Sequence, residues 1–174
     1  EPRGTASAIG LASVVLQKRN PDATAAVLTA DHFIKSEPEF RKILAAAAKA
    51  AQNGILVTLG ITPTSPSTAY GYIQQGVAKG IVDGYATYEV DQFKEKPPLE
   101  EAEAMLDDGG FAWNSGMFIF RVEAMLKEFE KQMPEHAKAF KAIQKAVDTD
   151  EFGKAMQGNW FPLKSQTIDY GIME

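Results

Sequence analysis

The sequence contains no cysteine, and histidine occurs only at His32 and His136. Without cysteine, the chain has no disulfides, no thiolate metal site and no thiol catalysis. With only two histidines, a multi-histidine metal centre is excluded as well. These absences agree with a cytoplasmic protein, and we expect that location.

Long apolar runs and clustered positive charge are also missing. No stretch of eighteen apolar residues predicts a membrane span, and no charged segment followed by an apolar core predicts a signal peptide. The formal net charge is -5, and lysine and arginine are spread along the chain, which argues against a nucleic-acid surface. A small phosphate ligand stays compatible with this charge, because backbone N–H groups, a few cations and a metal ion suffice to hold one.

What the sequence does contain is the composition of one globular domain, or part of one: 174 residues, of which 45% are hydrophobic. The first third alternates between helical and strand patterns, which predicts an α/β fold with buried parallel strands. The predicted elements are a helix over Thr5–Arg19, a strand over Ala25–Ala30, a helix opened by the capping box Ser36–Glu39 and ended at Asn53-Gly54, and a strand over Ile55–Ile61.

The rest of the chain mixes shorter strands with helices. The predicted elements are a strand over Tyr70–Gln75, a turn region over Lys79–Gly84, a half-exposed strand over Tyr85–Phe93, a helix over Leu99–Leu106, a strand over Gly116–Phe120, and helices over Glu123–Met133, Glu135–Val147 and Glu151–Met156. The first helix has an apolar face that we expect to be buried: Ala8, Ile9, Leu11, Ala12, Val15 and Leu16.

The apolar run Ala25–Ile34 is interrupted by an acid, Asp31, followed by His32. Ligands of open α/β sheets lie beyond the carboxyl ends of the strands, so Asp31 is a candidate metal or substrate ligand. The alternative is a solvated acid in a turn. We expect His32 to pack against its surroundings and His136, at a polar helix start, to be solvated.

Four further stretches carry residues that a core does not need. Each also has a structural explanation: a helix cap, a strand-entry glycine, two solvated charges and a common turn, respectively. The stretches are Glu1–Ala6, which opens a helix; Tyr70-Gly71-Tyr72, where a ligand could approach the backbone closely; Glu95-Lys96-Pro97, an acid and a base at a strand end; and Trp113–Gly116, an amide before an apolar strand. No Gly-x-Ser-x-Gly or Gly-x-x-x-x-Gly-Lys-Ser/Thr motif accompanies them. Together they indicate a site that positions a phosphate and a sugar around a metal, without a protein nucleophile.

Six blocks follow one another along the chain: Glu1-Pro2 with Gly4–Ile9, Leu28–His32, Gly60–Thr64 with Tyr70–Ile73, Phe93–Pro97, Trp113–Phe118, and Ile168–Glu174. In this order they resemble the mannose-1-phosphate guanylyltransferase (GDP-mannose pyrophosphorylase) family of sugar nucleotidyltransferases. They cover nearly the whole chain. The resemblance implies a Rossmann-like nucleotidyltransferase fold with a mixed central sheet, of which this chain is a partial domain.

The resemblance also implies the activity and its residues. GTP and mannose 1-phosphate would give GDP-mannose and pyrophosphate with Mg²⁺, by direct attack of the sugar phosphate on the α-phosphorus. Asp31 would hold the metal and contact the nucleotide, and Lys96 would neutralise the sugar phosphate. The remaining roles are guanine binding by Gly4, Thr5 and Ala6, and mannose binding by Gly71, Glu95, Asn114 and Asp169.

The chain departs from the family pattern at both ends. The glycine-rich loop Gly-x-Gly-Thr-Arg-Leu-x-Pro and the second metal-binding acid do not occur within residues 1–174, and Gly4 stands where the family often has asparagine. We therefore expect the central part of one catalytic domain, inactive alone. Two alternatives stay open: another sugar-1-phosphate nucleotidyltransferase, or a non-catalytic paralogue that senses GDP-mannose. A homo-oligomer is also left open.

Overall fold

A computed structural model describes residues 1–173 as α/β, which confirms the predicted class; Glu174, the last residue of the sixth block, lies outside the described residues. The elements, in chain order, are α1 (Gly4–Arg19), β1 (Thr24–Val27), α2 (Glu37–Ala51), β2 (Val57–Ile61), β3 (Tyr72–Val82), β4 (Tyr85–Lys94), α3 (Leu99–Asp108), β5 (Phe111–Arg121), α4 (Val122–Gln132), α5 (Pro134–Ala146), α6 (Phe152–Asn159) and a π-helix (Asp169–Met173). Among these helices, none combines the length and the apolar character that a membrane crossing requires.

The chain divides into two compact units. Unit 1 comprises Glu1–Ala25, Gly54–Leu56 and Phe120–Met173, and unit 2 comprises Ala26–Asn53 and Val57–Ile119. Unit 1 is mostly helical, and unit 2 contains most of the sheet.

In unit 1, α1 packs against α4 and α5 through small residues. Its buried positions include Ser7, Gly10 and Ser13, so the predicted apolar face is wrong for Ala8, Ala12 and Leu16, which are exposed. The reason is close packing of helices: a Cβ built at Gly10 would lie inside the ring of Phe140. The buried face of α1 is therefore partly made of small residues, and it differs from the face that the hydrophobic pattern predicts.

The core of unit 1 is made by aromatic and aliphatic side chains from α4 and α5. Phe129 and Phe140 meet edge to face with ring centroids 5.1 Å apart, and both are essentially inaccessible to solvent, as are Met125 and Ile143. His136 joins this layer, 7% exposed, with Nε2 3.1 Å from the carbonyl oxygen of Lys164. The expectation of a solvated His136 is therefore wrong, because the first turn of α5 faces the connection that follows α6.

In unit 2 the sheet order is β1-β5-β3-β4, and β2 also pairs with β5. The expectation of buried parallel strands in the first third of the chain is wrong for β2, because the ladder β2–β5 is antiparallel, as are the ladders β3–β4 and β3–β5. The turn Asp83-Gly84 shows why for β3 and β4: both residues have positive φ, 49° and 92°, and so reverse the chain within a two-residue hairpin turn.

The prediction of a turn region over Lys79–Gly84 is wrong for Lys79–Val82, which belong to β3. Strand β3 continues to Val82, and Lys79 forms an ion pair with Glu89 on β4. The glycines that suggested a turn are accommodated by irregularities in the ladder, since the β3–β4 register shifts between Gln75 and Ala78 and between Ala78 and Gly80.

Strand β1 is shorter than the apolar run that predicted it. It ends at Val27, Leu28 is 46% exposed, and Phe33 is 90% exposed. His32 is exposed too, so the expectation that it packs is wrong. Hydrophobicity alone did not extend the strand, because extension also needs a neighbouring backbone.

Helix α2 begins and ends close to its prediction. It starts after Ser36, with proline in its first turn, although no side-chain hydrogen bond from Ser36 caps it. Ala47 and Ala51 pack against Ile119 of β5. Helices α3, α4, α5 and α6 are likewise confirmed within a few residues of their predicted limits.

Candidate functional site

Three residues predicted to bind the sugar lie side by side in unit 2: Gly71, Glu95 and Asn114. Strand β3 runs between β4 and β5, and Tyr72 pairs with Lys94 on one side and with Trp113 on the other. In antiparallel ladders the preceding residue, Gly71, therefore adjoins Glu95 and Asn114. The sheet register, rather than chain proximity, brings them together.

The contacts among these three residues are tight. The N–H of Asn114 donates to the carbonyl of Gly71 at 2.7 Å. A Cβ built at Gly71 would lie 2.5 Å from Glu95 Oε2 and 3.4 Å from the Cβ of Asn114. Glycine is thus the residue that lets the Glu95 carboxylate lie against the backbone of Gly71.

Glu95 and Lys96 form an ion pair whose two members differ in exposure. Lys96 Nζ lies 3.3 Å from Glu95 Oε1, and the side chains are 13% exposed for Glu95 and 62% for Lys96. Lys96 has a φ of 44°, a left-handed conformation that non-glycine residues seldom adopt. The backbone therefore turns sharply between β4 and the buried Pro97, leaving a largely buried carboxylate next to a solvent-facing ammonium.

Asn114 does not precede its strand, as predicted, but lies inside β5 at an irregular point. Thr58 of β2 pairs with Phe118, whereas Gly60 pairs with Asn114. A step of two positions along β2 therefore corresponds to a step of four positions along β5. Gly116, with a φ of 69°, takes up the extra length. The alternative explanation of this stretch as a common turn is therefore wrong, because the stretch is a bulge within a strand.

Side chains complete the hydrogen bonds of this bulge. The N–H of Gly116 donates to Asn114 Oδ1 at 3.0 Å, and the N–H of Met117 donates to Ser115 Oγ at 3.2 Å. Thr58 Oγ1 lies 3.3 Å from both Asn114 Oδ1 and the carbonyl oxygen of Met117. Sequence patterns did not point to Thr58, because only the β2–β5 register shows that it faces Asn114.

Two aromatic residues flank Gly71 and Asn114. The rings of Tyr70 and Trp113 are 4.9 Å apart and tilted by 59°, and Tyr70 is 49% exposed. The indole nitrogen of Trp113 is buried and has no hydrogen-bond partner among the described residues. The exposed ring of Tyr70 offers a large apolar face next to Gly71.

Asp31, the predicted metal ligand, is an exposed residue in a turn, and Leu28–Ala30 separate it from the end of β1. Over residues 1–173, no three side chains of the His, Cys, Asp or Glu type gather closely enough to form a metal site. Asp31 therefore offers a single carboxylate to a metal ion, and it belongs to no cluster of metal-binding side chains in the described part of the chain.

The predicted base-binding residues belong to unit 1, at the start of α1. The N–H of Ala6 donates to the carbonyl of Gln166 at 3.1 Å, and Thr5 Oγ1 accepts the N–H of Ile168 at 2.9 Å. Gly4, with a φ of 79°, packs so closely on Gln166 that a Cβ would overlap its backbone. The helix start is thus joined to residues 166–168, and Ala6 is fully buried.

Asp169 follows this connection directly. It is half-buried and begins the π-helix, whose Gly171 packs against Met133. Local widening of a helix to a π-turn is frequent at functional sites. Within unit 1, the structure therefore places Asp169 immediately after residues 166–168, which bond to the start of α1.

A sheet with helix α2 packed on it, and with polar residues near the limits of its strands, defines an α/β protein. Two solved structures support this class. One, named mannose-1-phosphate geranyltransferase from Thermus thermophilus, covers 100% of this chain with 48% of its own length, a TM-score of 0.84 and 33% identity. The other, named mannose-6-phosphate isomerase from Helicobacter pylori, covers 100% of the chain with 65% of its own, a TM-score of 0.79 and 29% identity. Both agree with the Rossmann-like nucleotidyltransferase fold that the sequence predicted.

The family itself is defined by sequence. The model of the nucleotidyl transferase family matches residues 1–161, and the chain belongs to that family. Among curated relatives, mannose-1-phosphate guanylyltransferase of Klebsiella pneumoniae is 40% identical over 99% of this chain and 36% of its own length. That of Escherichia coli K12 is 39% identical over 99% and 37%, and the xanthan biosynthesis protein XanB of Xanthomonas campestris is 38% identical over 100% and 37%. The chain thus spans a little over a third of these relatives.

Proposed function

We propose that this chain is the central part of the catalytic domain of a mannose-1-phosphate guanylyltransferase. The reaction transfers GMP from GTP to mannose 1-phosphate and releases pyrophosphate. The observation that carries the proposal is the meeting of Gly71, Glu95 and Asn114 across three strands. The names of the relatives, which align over almost the whole chain, support the same reaction.

The chemistry needs positioning more than it needs reactive side chains. A phosphate oxygen of mannose 1-phosphate attacks the α-phosphorus of GTP, the bond between that phosphorus and the bridging oxygen breaks, and pyrophosphate leaves with that oxygen. Two reactants held in line gain most of their rate from orientation and from neutralised charge. In this proposal the protein supplies both without forming a covalent intermediate.

Each predicted sugar-phosphate-binding residue of unit 2 is assigned a role that matches its contacts. The largely buried Glu95 carboxylate accepts hydrogen bonds from two mannose hydroxyls, and Asn114 binds a further hydroxyl. The backbone at Gly71 allows the sugar to approach closely. The exposed ammonium of Lys96 neutralises the sugar phosphate, as a compact point charge can do.

Asp31 is the residue that would hold Mg²⁺. The observed donor set fits this ion, because Mg²⁺ usually takes one or two protein carboxylates and completes its coordination with phosphate oxygens and water. When bound, the ion supplies charge neutralisation at the phosphates of GTP. A single exposed carboxylate outside any acidic cluster of the described residues is sufficient for that arrangement.

In unit 1 we assign Gly4, Thr5 and Ala6 to the guanine and Asp169 to the sugar. The Ala6 N–H already donates to Gln166, so the remaining contacts would come from Gly4 and Thr5, with Ala6 as an apolar support. We place the reaction in the cytoplasm.

The proposal is tested by measuring pyrophosphate release from the full-length protein that contains residues 1–174. The assay covers a matrix of GTP, ATP, UTP, CTP and dTTP against mannose 1-phosphate, glucose 1-phosphate and galactose 1-phosphate. We expect the highest kcat/KM for GTP with mannose 1-phosphate. A different best pair would assign the protein to another sugar-1-phosphate nucleotidyltransferase. Tight GDP-mannose binding without any turnover would indicate a sensor and end the enzymatic proposal.

The metal assignment has its own test, Asp31→Asn. The change should lower Mg²⁺-dependent kcat/KM by more than about 100-fold, because a metal ion contributes several kcal/mol of transition-state charge stabilisation and each 1.36 kcal/mol is tenfold. The matched control is Asp107→Asn, which neutralises another exposed acid, on α3. Near-normal activity in Asp31→Asn, with a Tm like that of the control, would remove Asp31 from the metal site.

A further inference from the structure

The Asn114 carboxamide is held by its oxygen. A backbone N–H can only donate, so the group that Gly116 N–H meets at 3.0 Å is an acceptor, Oδ1. The Thr58 hydroxyl lies 3.3 Å from the same oxygen and from the carbonyl of Met117. One hydroxyl hydrogen shared between two acceptors thereby ties Asn114 to the bulge.

This arrangement decides which end of the amide a ligand meets. With Oδ1 turned toward β2 and the bulge, the Nδ2 end is the one directed away from Thr58 and Gly116. Thr58 is not a residue of the predicted site, and its contact with Asn114 depends on the register shift that places Thr58 opposite Phe118 and Gly60 opposite Asn114. The site therefore relies on a strand from which sequence analysis assigned no functional residue.

We propose that Thr58 is a positioning residue for sugar binding, which fixes the Asn114 amide so that Asn114 meets the sugar phosphate as a hydrogen-bond donor through Nδ2. The proposal rests on the proposed function for the identity of the ligand. The orientation of Asn114 by Thr58 stands on the contacts in unit 2 alone. A half-buried threonine whose only task was to fill space would be replaceable by valine, which has almost the same shape.

The test compares Thr58→Val, which removes the hydroxyl, with Thr58→Ser, which keeps it, in the full-length protein. Thr58→Val should raise the KM for mannose 1-phosphate about three- to ten-fold, the loss of one net hydrogen bond, with the KM for GTP unchanged. Thr58→Ser should stay within about twofold of the wild type. The matched control is Thr87→Val, which removes a hydroxyl that donates to the Gly80 carbonyl on the hairpin and should leave both KM values unchanged.

A second measurement separates this inference from the proposed function. With ¹⁵N-asparagine labelling, the Asn114 side-chain amide pair is assigned by its loss in Asn114→Asp. The pair should shift in Thr58→Val, and neither in Thr58→Ser nor in Thr87→Val. If the wild type releases no pyrophosphate with any substrate pair, the proposed function fails, and this resonance still decides the orientation. An unmoved pair in Thr58→Val, or equal KM effects of Thr58→Val and Thr58→Ser, would overturn the inference.

Discussion

The two units present their predicted site residues in opposite ways. In unit 2, Gly71, Glu95 and Asn114 meet through a ladder of three strands, and the Glu95 carboxylate and the Cβ of Asn114 both lie close to Gly71. In unit 1, Thr5 and Ala6 already make hydrogen bonds to residues 166–168. Strands bring polar residues that are distant in sequence to one point, whereas the helix start is partly occupied by its own chain.

The units also differ in how firmly they are packed. Unit 1 has a layer of interlocked aromatic rings, with Phe140 against Gly10. Much of the β3–β4 hairpin in unit 2 is exposed, including Ile81 at 74% and Val90 at 49%. We therefore expect substitutions in unit 1 to act on stability and substitutions around Gly71 to act on binding.

In the comparison of the two units, the largest expected effect is that of Gly71→Ala. The new Cβ would displace the Glu95 carboxylate, which lies 2.5 Å from its position, and misplacement of a reactant by about 1 Å can cost about 100-fold in rate. We expect kcat/KM for mannose 1-phosphate to fall by that order while Tm changes little, since a flexible side chain can move aside. Steady-state kinetics and thermal unfolding measure the two quantities.

Gly76→Ala is the matched control for Gly71→Ala. Its Cβ would meet the carboxylate of Asp91, another acid on the neighbouring strand, but away from Glu95 and Asn114. A comparable steric overlap at Gly76 should therefore leave kcat/KM near the wild-type value. Equal losses in both variants would mean that the hairpin responds as a whole and that Gly71 has no special place.

The next effect is on unit 1, in Gly10→Ala. A methyl group here would overlap the Phe140 ring, and overpacking of a close-packed core destabilises by about 1–3 kcal/mol. Urea unfolding should show this loss, with KM values preserved in the folded protein. Gly153→Ala in α6 is the control: no atom lies within 4 Å of its Cβ, so the gain in helix propensity should leave stability equal or slightly higher. If Gly10→Ala were as stable as Gly153→Ala, the contrast in packing would be refuted.

The smallest effect concerns a hydrogen bond in unit 2, from the Tyr85 hydroxyl to Glu39 Oε1 at 2.5 Å. This bond lowers the pKa of Glu39 and raises the pKa of Tyr85. The lowered pKa adds stability that is present above the unfolded-state pKa of glutamate, about 4.3, and is lost as pH falls through the folded-state value. The raised pKa adds stability that is present below the unfolded-state pKa of tyrosine, about 10, and is lost as pH rises through its folded-state value.

Tyr85→Phe should therefore be slightly less stable than the wild type between about pH 5 and pH 9, and the difference should shrink beyond either limit. Urea unfolding at intervals across that range measures it. A difference that stayed constant with pH would assign the effect to packing of the ring and not to the hydrogen bond.

Local patterns were sufficient for much of the architecture. The helices that became α2, α3, α4 and α5 were placed to within a few residues, because apolar periodicity, prolines at helix starts and Gly109 at the end of α3 act locally. The wrong predictions for α1 and β3 share one cause, because both elements depend on residues that are distant in the sequence. Small residues bury α1 against Phe140, and an antiparallel register keeps β3 extended to Val82.

The candidate site shows the same division. Gly71, Glu95 and Asn114 were singled out as glycine, acid and amide near strand limits, and their identity needed only the sequence. Thr58 could not be found that way, because its relation to Asn114 exists only across the β2–β5 ladder. No spacing of residues along the chain indicates the contact between Thr58 and Asn114.

By itself, then, the sequence determined the α/β class, most helices and the residue types of the site, since these follow from composition, periodicity and the chemistry of single side chains. Only the tertiary structure decided that the defined ladders are antiparallel, that β5 carries a bulge at Asn114, and that Glu95 lies against Gly71. Register is a property of two backbones together. One slip of a strand would turn every side chain to the other face, so the sheet as a whole sets where these residues meet.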